Sequence, residues 1–262
     1  MLVPDDHGLL LFRFGEKRWI EKIVEGNLSF SCAGAFINQA KNTGNTVQGD
    51  EYEAIFAKLY PDDIRIAEMK RKLGNDLEEI NLNDHILLRR KSAKLKPIFC
   101  FYGYSARDLL EEANIEHLGE NTVRHEFDER MFSGFSNSES VKNVLSEERR
   151  YTMITLMPQP FVDRVKFFMK LNGYGFKMGK VKYEIISNDT FFIEPTAEYN
   201  ELFYKAKEYS YQCEARICMK NMKFNNIFER FDCNIGKLRP EEYYINYDKL
   251  YFTINAVIAR RK

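Results

Sequence analysis

The chain places short strand-like and helix-like segments one after another, without the regular strand–helix–strand rhythm of a parallel α/β sheet. Its first unit predicts a strand over Gly8–Phe14, a helix over Lys17–Glu25 and a second strand over Asn27–Ser31. Further along, two strand-like runs flank Asn83 and Asp84 and predict a hairpin. Irregular order of this kind favours an α+β fold with mostly antiparallel sheets flanked by helices.

No internal repeat and no Gly/Ser-rich or Pro-rich linker divides the 262 residues. We therefore predict a single domain over residues 1–262, large enough to bury about three quarters of its unfolded surface. Residues 114–148 are polar, and one short strand, Val123–Phe127, is predicted within them.

Several helices are predicted from apolar spacing and capping residues. Ile64–Leu73 follows a capping aspartate and ends before a glycine. Glu51–Leu59, Phe161–Leu171 and Tyr199–Lys207 are also predicted as helices, and Ala106–Ala113 as a short one.

Two further segments are interpreted from composition and alternation. Residues 32–50 are rich in Asn, Gly, Thr and Gln, which predicts a loop with at most one helical turn around Ala35–Lys41. Tyr211–Met219 alternates its side chains with a period of two, and this pattern predicts a central strand.

The balance of charge and the cysteine pattern argue against several classes of site. Lys+Arg and Asp+Glu number 39 each, so the chain lacks the overall basic field that attracts nucleic acid. Its five cysteines form no CxxC pair and have no histidine at ligand spacing, so we predict free thiols, no metal site and no disulfide framework. Phosphate-loop, GxGxxG, HExxH and GxSxG motifs are absent from the sequence.

The N-terminal sequence carries no signal-peptide pattern, and no apolar stretch reaches the length of a membrane span. We therefore expect a cytoplasmic protein without a membrane partner. The sequence leaves its oligomeric state open.

Arg13 lies in the middle of the otherwise apolar first strand. A buried guanidinium is costly unless it meets a carboxylate, a carbonyl or a phosphate. Leu11, Phe12 and Phe14 can fill the core without it, so the alternative is an edge-strand arginine that points to solvent. Arg13 is therefore either an anion-binding residue or a surface residue.

The segment QGDEYEA places three carboxylates, Asp50, Glu51 and Glu53, directly after a polar loop. The spacing favours a capping box, in which Asp50 caps a helix and Glu53 stands at its third position. The alternative is that Asp50 and Glu53 form a carboxylate pair that faces a cleft.

In the strand predicted over Tyr211–Met219, Glu214 and Arg216 share one face, and Ala215 and Ile217 share the other. If the second face is core, the two charged side chains point into solvent or into a cleft. The pattern alone favours a surface cross-strand pair, worth roughly a few tenths of a kcal/mol.

Together these segments resemble a bacterial and phage-associated family of unknown function, members of which lie near phage-defence genes. Its pattern is an aromatic-basic-aromatic strand, a helix and Gly-x-Leu-x-Phe-Ser, then Gly-Asp-x-x-Glu, a middle strand around a cysteine, and a late Tyr-Lys followed by Glu-x-Arg-Ile. The matching residues are Phe12 to Phe14, Gly26 to Ser31, Gly49, Asp50, Glu53, Ile98 to Phe101, Tyr204, Lys205, Glu214, Arg216 and Ile217. An Asn-Asp-Pro-Phe-Asp stretch that many members carry is replaced here by Phe36 to Gln39.

The layout is also similar to that of NAD-using ADP-ribosyltransferases, which place an arginine or histidine on the first strand, a serine at the end of the second and a glutamate on a late strand. The resemblance implies that Arg13 holds the NAD phosphates and that Ser31 supports the nicotinamide ribose. It implies that Glu214 is the catalytic residue, which stabilises positive charge as it builds on the ribose.

The same resemblance brings further residues into the NAD site. Asp50 and Glu53 belong to it through the Gly-Asp-x-x-Glu element, and Tyr204 or Tyr211 would stack on the nicotinamide ring. Tyr211 is equally well explained as a core residue.

Two functional hypotheses follow. The first is an NAD-using ADP-ribosyltransferase or NAD glycohydrolase linked to phage–host conflict, with a protein or nucleic acid as a possible acceptor. The second is a non-catalytic protein that binds a host or phage factor through an aromatic surface, since the chain holds 21 Phe and 15 Tyr. A nucleic-acid binder is a third, weaker alternative.

Overall fold

The computed structural model of the protein describes residues 10–43, 50–105, 115–119, 122–126, 151–184, 189–247 and 251–255. The α-helices are α1 (Lys17–Val24), α2 (Ala33–Thr43), α3 (Ile64–Leu73), α4 (Lys91–Lys94) and α5 (Pro158–Leu171). The strands before α5 are β1 (Leu10–Glu16), β2 (Asn27–Cys32), β3 (Ile55–Leu59), β4 (Leu77–Leu82), β5 (His85–Arg90), β6 (Pro97–Tyr104), β7 (Ile115–Gly119), β8 (Thr122–Glu126) and β9 (Tyr151–Leu156). The strands after it are β10 (Phe176–Lys180), β11 (Lys182–Tyr183), β12 (Phe191–Phe192), β13 (Tyr204–Lys205), β14 (Glu214–Met219), β15 (Phe231–Asn234), β16 (Tyr243–Tyr247) and β17 (Tyr251–Asn255).

The largest sheet has eight strands, six of them in the order β10-β14-β6-β1-β9-β16. The other two strands attach at one side, where β2 pairs with β6 and β15 pairs with β2. All these pairings are antiparallel, whereas the short β11–β13 pair is parallel. The α+β fold and the mostly antiparallel sheets expected from the sequence are confirmed.

One edge of β6 is shared by two different strands. Its carboxyl end pairs with β1, from Leu10↔Tyr104 to Phe12↔Tyr102. Its amino end pairs with β2, at Ser31↔Ile98 and the next residue along. Between these two contacts, around Cys100, the described residues provide no strand partner on this edge, so the sheet is open there.

The main core lies on one face of the eight-stranded sheet and includes α5. Phe161, Val165 and Met169 follow one another at four-residue spacing on α5 and belong to the same buried cluster as Phe101 and Ile217 of the sheet. The rings of Phe101 and Phe161 meet edge to face, with 6.0 Å between their centroids. Burial of each such side chain contributes about 1.5–3 kcal/mol, so this face holds the sheet together.

A second sheet, in the order β12-β3-β5-β4, packs with α3. As predicted, Asp63 caps α3, because its side chain accepts a hydrogen bond from the backbone N–H of Arg65, and the helix ends before Gly74. The predicted hairpin is also confirmed: β4 and β5 are joined through Asn83, which adopts φ 50° in the tight turn.

The helix predicted over Glu51–Leu59 is wrong. Residues 51–54 form a turn in which Ala54 has φ 63°, and the chain then continues as β3. All five residues of β3 are buried, so the segment lacks the alternation that identifies a half-buried strand. A short, fully buried segment of this kind cannot be assigned to a helix or a strand from its period.

Two other boundaries differ from the prediction. Tyr199–Lys207 is not an α-helix: Tyr199 has φ 51°, a 3-10 turn covers Asn200–Phe203, and β13 follows. The loop predicted over residues 32–50 contains α2, which begins at Ala33 and buries Ile37 one turn later.

The helix predicted from Phe161 begins earlier, at Pro158. Proline is compatible with the first turn of a helix, because the first N–H groups have no partner within the helix. The strand predicted over Val123–Phe127 corresponds to β8, whereas the helix predicted over Ala106–Ala113 and most of residues 114–148 lie outside the described residues.

Among the described residues, no helix has both the length and the apolar character needed to cross a bilayer. The single domain over residues 1–262 stays a prediction.

Candidate functional site

A cleft of about 1000 Å³ lies at the place where the eight-stranded sheet is open. Side chains from β1, β2, β6 and β14 line it, and so do residues of α1 and of the turn before β3. Arg13, Ser31, Glu53 and Glu214, four of the residues selected from the sequence, are among its lining residues.

Arg13 points into this cleft. Its guanidinium donates a hydrogen bond to the backbone carbonyl of Cys100 and lies 5.3 Å from the centroid of the Phe99 ring. The carbonyl of Cys100 faces the opening between β1 and β2. Arg13 therefore donates the hydrogen bond that a backbone N–H of a neighbouring strand would otherwise donate to this carbonyl. The alternative in which Arg13 is an edge-strand residue that points to solvent is therefore wrong.

The side chains of Arg13 and Glu214 project from opposite faces of the sheet. Glu214 lies opposite Tyr102, and Tyr102 lies opposite Phe12, so these three side chains share a face, whereas Arg13 shares the other face with Leu11. The arrangement expected from the sequence, in which Glu214 turns toward Arg13 on one side of the sheet, is therefore wrong, although both residues are among those that line the cleft.

Cys100 connects the two sides of the opening. Its carbonyl accepts the bond from Arg13, and its thiol is hydrogen-bonded to the carboxylate of Glu214. Burial, followed by the charge of Glu214, raises the pKa of the Cys100 thiol far above its usual value. The thiol is therefore protonated at neutral pH and is a hydrogen-bond partner, not a nucleophile.

A buried ion cluster forms the inner end of the cleft, with Arg216 at its centre. The guanidinium of Arg216, fully buried at 0% exposure, bonds both oxygens of Glu53 at 2.5 and 2.8 Å. It also bonds Glu214, at 2.6 Å through Nε, and the carbonyl of Leu202 at 2.6 Å. Arg216 thus joins carboxylates that are 161 residues apart in the sequence.

Lys205 is the second cation of the cluster. Its Nζ lies 2.8 Å from Oε2 of Glu214 and 3.3 Å from Oε1 of Glu53, and it donates to the side chain of Gln212 at 2.9 Å. Burial lowers the pKa of Lys205, but the charges of Glu214 and Glu53 outweigh this effect and raise it well above the usual value. Lys205 is therefore charged throughout the range in which proteins are stable.

The pattern alone favoured a surface position for the Glu214–Arg216 pair. The structure instead buries both side chains. Glu214 is 7% exposed, and its side chain is held in place because Arg216, Lys205 and Cys100 all contact its carboxylate. Burial raises the pKa of Glu214, but Arg216 and then Lys205 outweigh it and hold the pKa well below its usual value. The site thus contains a fixed, ionised carboxylate.

The capping box expected at Asp50 and Glu53 is also wrong, since no helix follows them. Oδ1 of Asp50 accepts a hydrogen bond from the N–H of Tyr52 at 2.8 Å, and the turn directs Glu53 toward Arg216. Asp50 is 1% exposed and lies behind the cleft rather than in its lining. Burial, followed by the charge of Glu53, raises the pKa of Asp50 to about 6.

Ser31 and Tyr204 have different surroundings. Ser31 lies at the end of β2, and its buried Oγ has no hydrogen-bond partner among the described residues, so it can bond a molecule in the cleft. Tyr204 is outside the cleft lining: its ring packs 5.5 Å from that of Phe191, which places it between β13 and β12. Tyr211 packs with the cluster of Phe12 and Phe14.

Sequence reasoning did not identify the roles of Lys205, Gln212 and Cys100. Lys205 and Cys100 belong to segments that carry the family resemblance, but neither segment shows a charge pattern that would link it to Glu214. The link exists because β6 and β14 are neighbours and β13 precedes β14 by one 3-10 turn, Lys207–Gln212.

Comparisons with protein-family models, with curated proteins and with solved structures found no match to this chain. Assignment of the site therefore depends on its geometry and chemistry.

Proposed function

We propose that the chain binds NAD in this cleft and cleaves the bond between nicotinamide and ribose, as an ADP-ribosyltransferase or an NAD glycohydrolase. One observation carries the proposal: Arg13 of β1, Ser31 of β2 and Glu214 of β14 line the same cleft. A cleft of about 1000 Å³ is at the upper end of the range of small-molecule sites and is large enough for a dinucleotide.

The charged side chains of the cleft suit a ligand that carries both positive and negative charge. The carboxylates of Glu53 and Glu214 pair with the cations of Lys205 and Arg216. The lining also includes the basic side chains of Arg13, Lys22 and Arg230 and the acidic side chains of Glu16 and Asp232. NAD carries a positive nicotinamide ring and a negative diphosphate, so a lining with both kinds of charge suits it.

Arg13 and Ser31 would bind and orient the ligand. The guanidinium uses one N–H on the carbonyl of Cys100 and has further donors in a planar fork, a geometry that suits phosphate oxygens. The hydroxyl of Ser31, which has no hydrogen-bond partner among the described residues, lies on β2 at the same edge of β6 and is able to bond a ribose hydroxyl.

Glu214 would act on the reacting bond through its charge. When NAD is bound, the bond electrons leave with neutral nicotinamide, and positive charge builds on the ribose. The carboxylate of Glu214 is ionised and held by Arg216 and Lys205, so it stabilises this charge without having to reorganise. Water, or an acceptor group of a protein or nucleic acid, then attacks the ribose and loses its proton to solvent.

Nicotinamide release from NAD tests the proposal. We expect release by the wild-type protein and a loss of about 10²–10³-fold in Glu214→Gln. This variant is expected to fold, because Asp50 and Glu53 still balance Lys205 and Arg216. The matched control is Glu68→Gln, which removes an exposed carboxylate on α3 and should retain full release.

Arg13→Gln separates binding from chemistry. We expect it to weaken NAD binding by about tenfold or more, since a charge-assisted contact to phosphate is lost. Release that persists in folded Glu214→Gln would contradict the role of that residue, and a wild-type protein that neither binds nor cleaves NAD would overturn the whole proposal.

A second candidate, a non-catalytic interaction protein, is favoured by one surface feature. Phe167 and Leu171 lie one turn apart on α5 and are 69% and 72% exposed. Exposed apolar side chains at this spacing suit a docking helix. If the folded protein shows no NAD binding, capture of a defined partner by the wild type but not by Phe167→Ser/Leu171→Ser would support this function instead.

A further inference from the structure

The aromatic side chains that line the cleft differ in how much of each ring a ligand can reach. Trp19 of α1 is 49% exposed. The other aromatic lining residues are buried or partly buried, and they are Phe14, Phe36, Phe99, Phe101 and Tyr102. A flat ring of a ligand needs an accessible ring on which to stack, so Trp19 is the aromatic lining residue best suited to this contact.

Trp19 lies on the side of β6 away from the ion cluster. Its helix, α1, joins β1 to β2 and packs against both strands, which pair with one edge of β6. Glu214 belongs to β14, which pairs with the other edge. A ligand whose nicotinamide ring lies at Glu214 and whose phosphates lie at Arg13 therefore directs its opposite end toward α1. In NAD that end is the adenine base.

Two exposed cations lie over the indole ring of Trp19. The ammonium of Lys22 is 4.4 Å from the ring centroid, and the guanidinium carbon of Arg18 is 4.9 Å from it. A cation over an exposed ring adds a factor of about two to five to an equilibrium constant. A stacked base adds a factor of about 5 to 150, so the base displaces a cation from the ring. Lys22, which lines the cleft, can then pair with a phosphate.

Polar side chains near α1 are able to bond the edge of a base. Asn27 and Ser29 of β2 and Asp232 of β15 are exposed and line the cleft. Ser29 and Asp232 lie directly opposite each other in the β2–β15 pair. Their hydroxyl and carboxylate groups provide both a donor and acceptors beside the helix that carries Trp19.

We propose that Trp19 forms the adenine subsite of the cleft, where the base stacks on the indole ring. The inference rests on the proposed function, because it takes the base to be that of NAD. It fixes the direction in which the dinucleotide lies: nicotinamide at Glu214, diphosphate at Arg13 and Lys22, and adenine at α1.

The test compares three probes on the full chain: carba-NAD, an analogue that is not cleaved, ADP, which has the adenine half alone, and inorganic pyrophosphate, which has no base. Trp19 is the sole tryptophan of the chain, so tryptophan fluorescence reports on this ring. We expect carba-NAD and ADP to change the fluorescence of the wild type. In calorimetric titrations, Trp19→Ala should bind both about tenfold more weakly and should bind pyrophosphate as the wild type does.

Two further variants separate stacking from other effects. Trp19→Phe keeps an aromatic ring and should retain most of the affinity for ADP. Tyr244→Ala is the matched control, because it removes an exposed aromatic ring on β16, outside the cleft lining, and should bind all three probes as the wild type does. Trp19 is itself exposed on a helix, so its replacement by alanine should leave the fold intact.

The outcomes distinguish this inference from the proposed function. If carba-NAD binds equally well to the wild type and to Trp19→Ala, the adenine subsite is overturned and the proposed function stands. An equal loss of pyrophosphate binding in Trp19→Ala, or a loss in Trp19→Phe as large as in Trp19→Ala, also contradicts stacking of the base. ADP binding that depends on Trp19, without binding of carba-NAD, supports the subsite and overturns the proposed function. Binding of none of the probes overturns both.

Discussion

Two buried groups of ion pairs, both within the described residues, differ in how their charges are connected. Arg90 and Glu201 pair with each other, 2.5 Å apart, and the Arg90 guanidinium lies 4.2 Å above the ring of Tyr199, over which Lys96 also lies at 4.3 Å. In the cluster around Arg216, Glu53 and Glu214 are each paired with both Arg216 and Lys205, and all four residues line a cleft. A one-to-one pair connects two segments, whereas a cross-linked cluster fixes several charged side chains at a cleft.

The largest difference should appear when the central cation of the cluster is removed. Arg216→Met leaves Glu53 and Glu214 with Lys205 as their remaining partner in the cluster, and we expect it to lower the free energy of unfolding by about 3–5 kcal/mol, or to prevent folding. Urea titration at pH 7.5 measures this. A loss below about 1 kcal/mol would show that water or movement of the side chains compensates for the missing charge of Arg216. The cluster would then not differ from the Arg90–Glu201 pair in the way described.

Asp50→Asn should act in the opposite direction. Its folded-state pKa of about 6 lies above the unfolded value of 3.8, so the wild type loses stability as the pH rises from about 4 to about 6. At pH 8 we expect the variant to be more stable than the wild type by as much as about 3 kcal/mol, and the two should converge below pH 4. Urea titrations at pH 8, 6 and 3.5 follow this difference, and a variant that is less stable at pH 8 would contradict the assigned cost.

The smallest effect is expected at the isolated pair, when both partners are replaced together. Arg90→Met/Glu201→Leu removes equal and opposite charges, and we expect a change within about 1 kcal/mol of the wild type. Arg90→Met alone should be clearly less stable, because it leaves Glu201 buried without its partner. Thermal unfolding of the wild type, the single variant and the double variant shows whether the double change restores the stability that the single change removes.

Local sequence signals predicted the parts of the fold that local interactions determine. Asp63 and Gly74 identified both ends of α3, and Asn83 identified the hairpin turn. Period-two alternation correctly separated the face of Glu214 and Arg216 from that of Ala215 and Ile217.

The surroundings of those faces could not be predicted in the same way. Whether Glu214 meets water or Lys205 depends on β13, and Glu53 meets Arg216 across 163 residues of sequence. The capping pattern at Asp50 has the same residue types as a charged turn, so spacing alone could not distinguish them. Tyr204 was selected by resemblance, and its packing against Phe191 shows that an aromatic residue close in sequence to a site need not enter it.

The strands that frame the opening of the sheet, β1 and β2, are consecutive in the sequence and are joined by α1, a helix of eight residues. The aperture therefore depends on this short connection, about 12 Å long, and on the pairing of both strands with β6. One residue inserted into α1 would rotate the end of the helix by about 100°, so the connection would have to be remodelled for β2 to keep its register on β6. Related chains that keep this aperture should vary α1 in composition far more freely than in length.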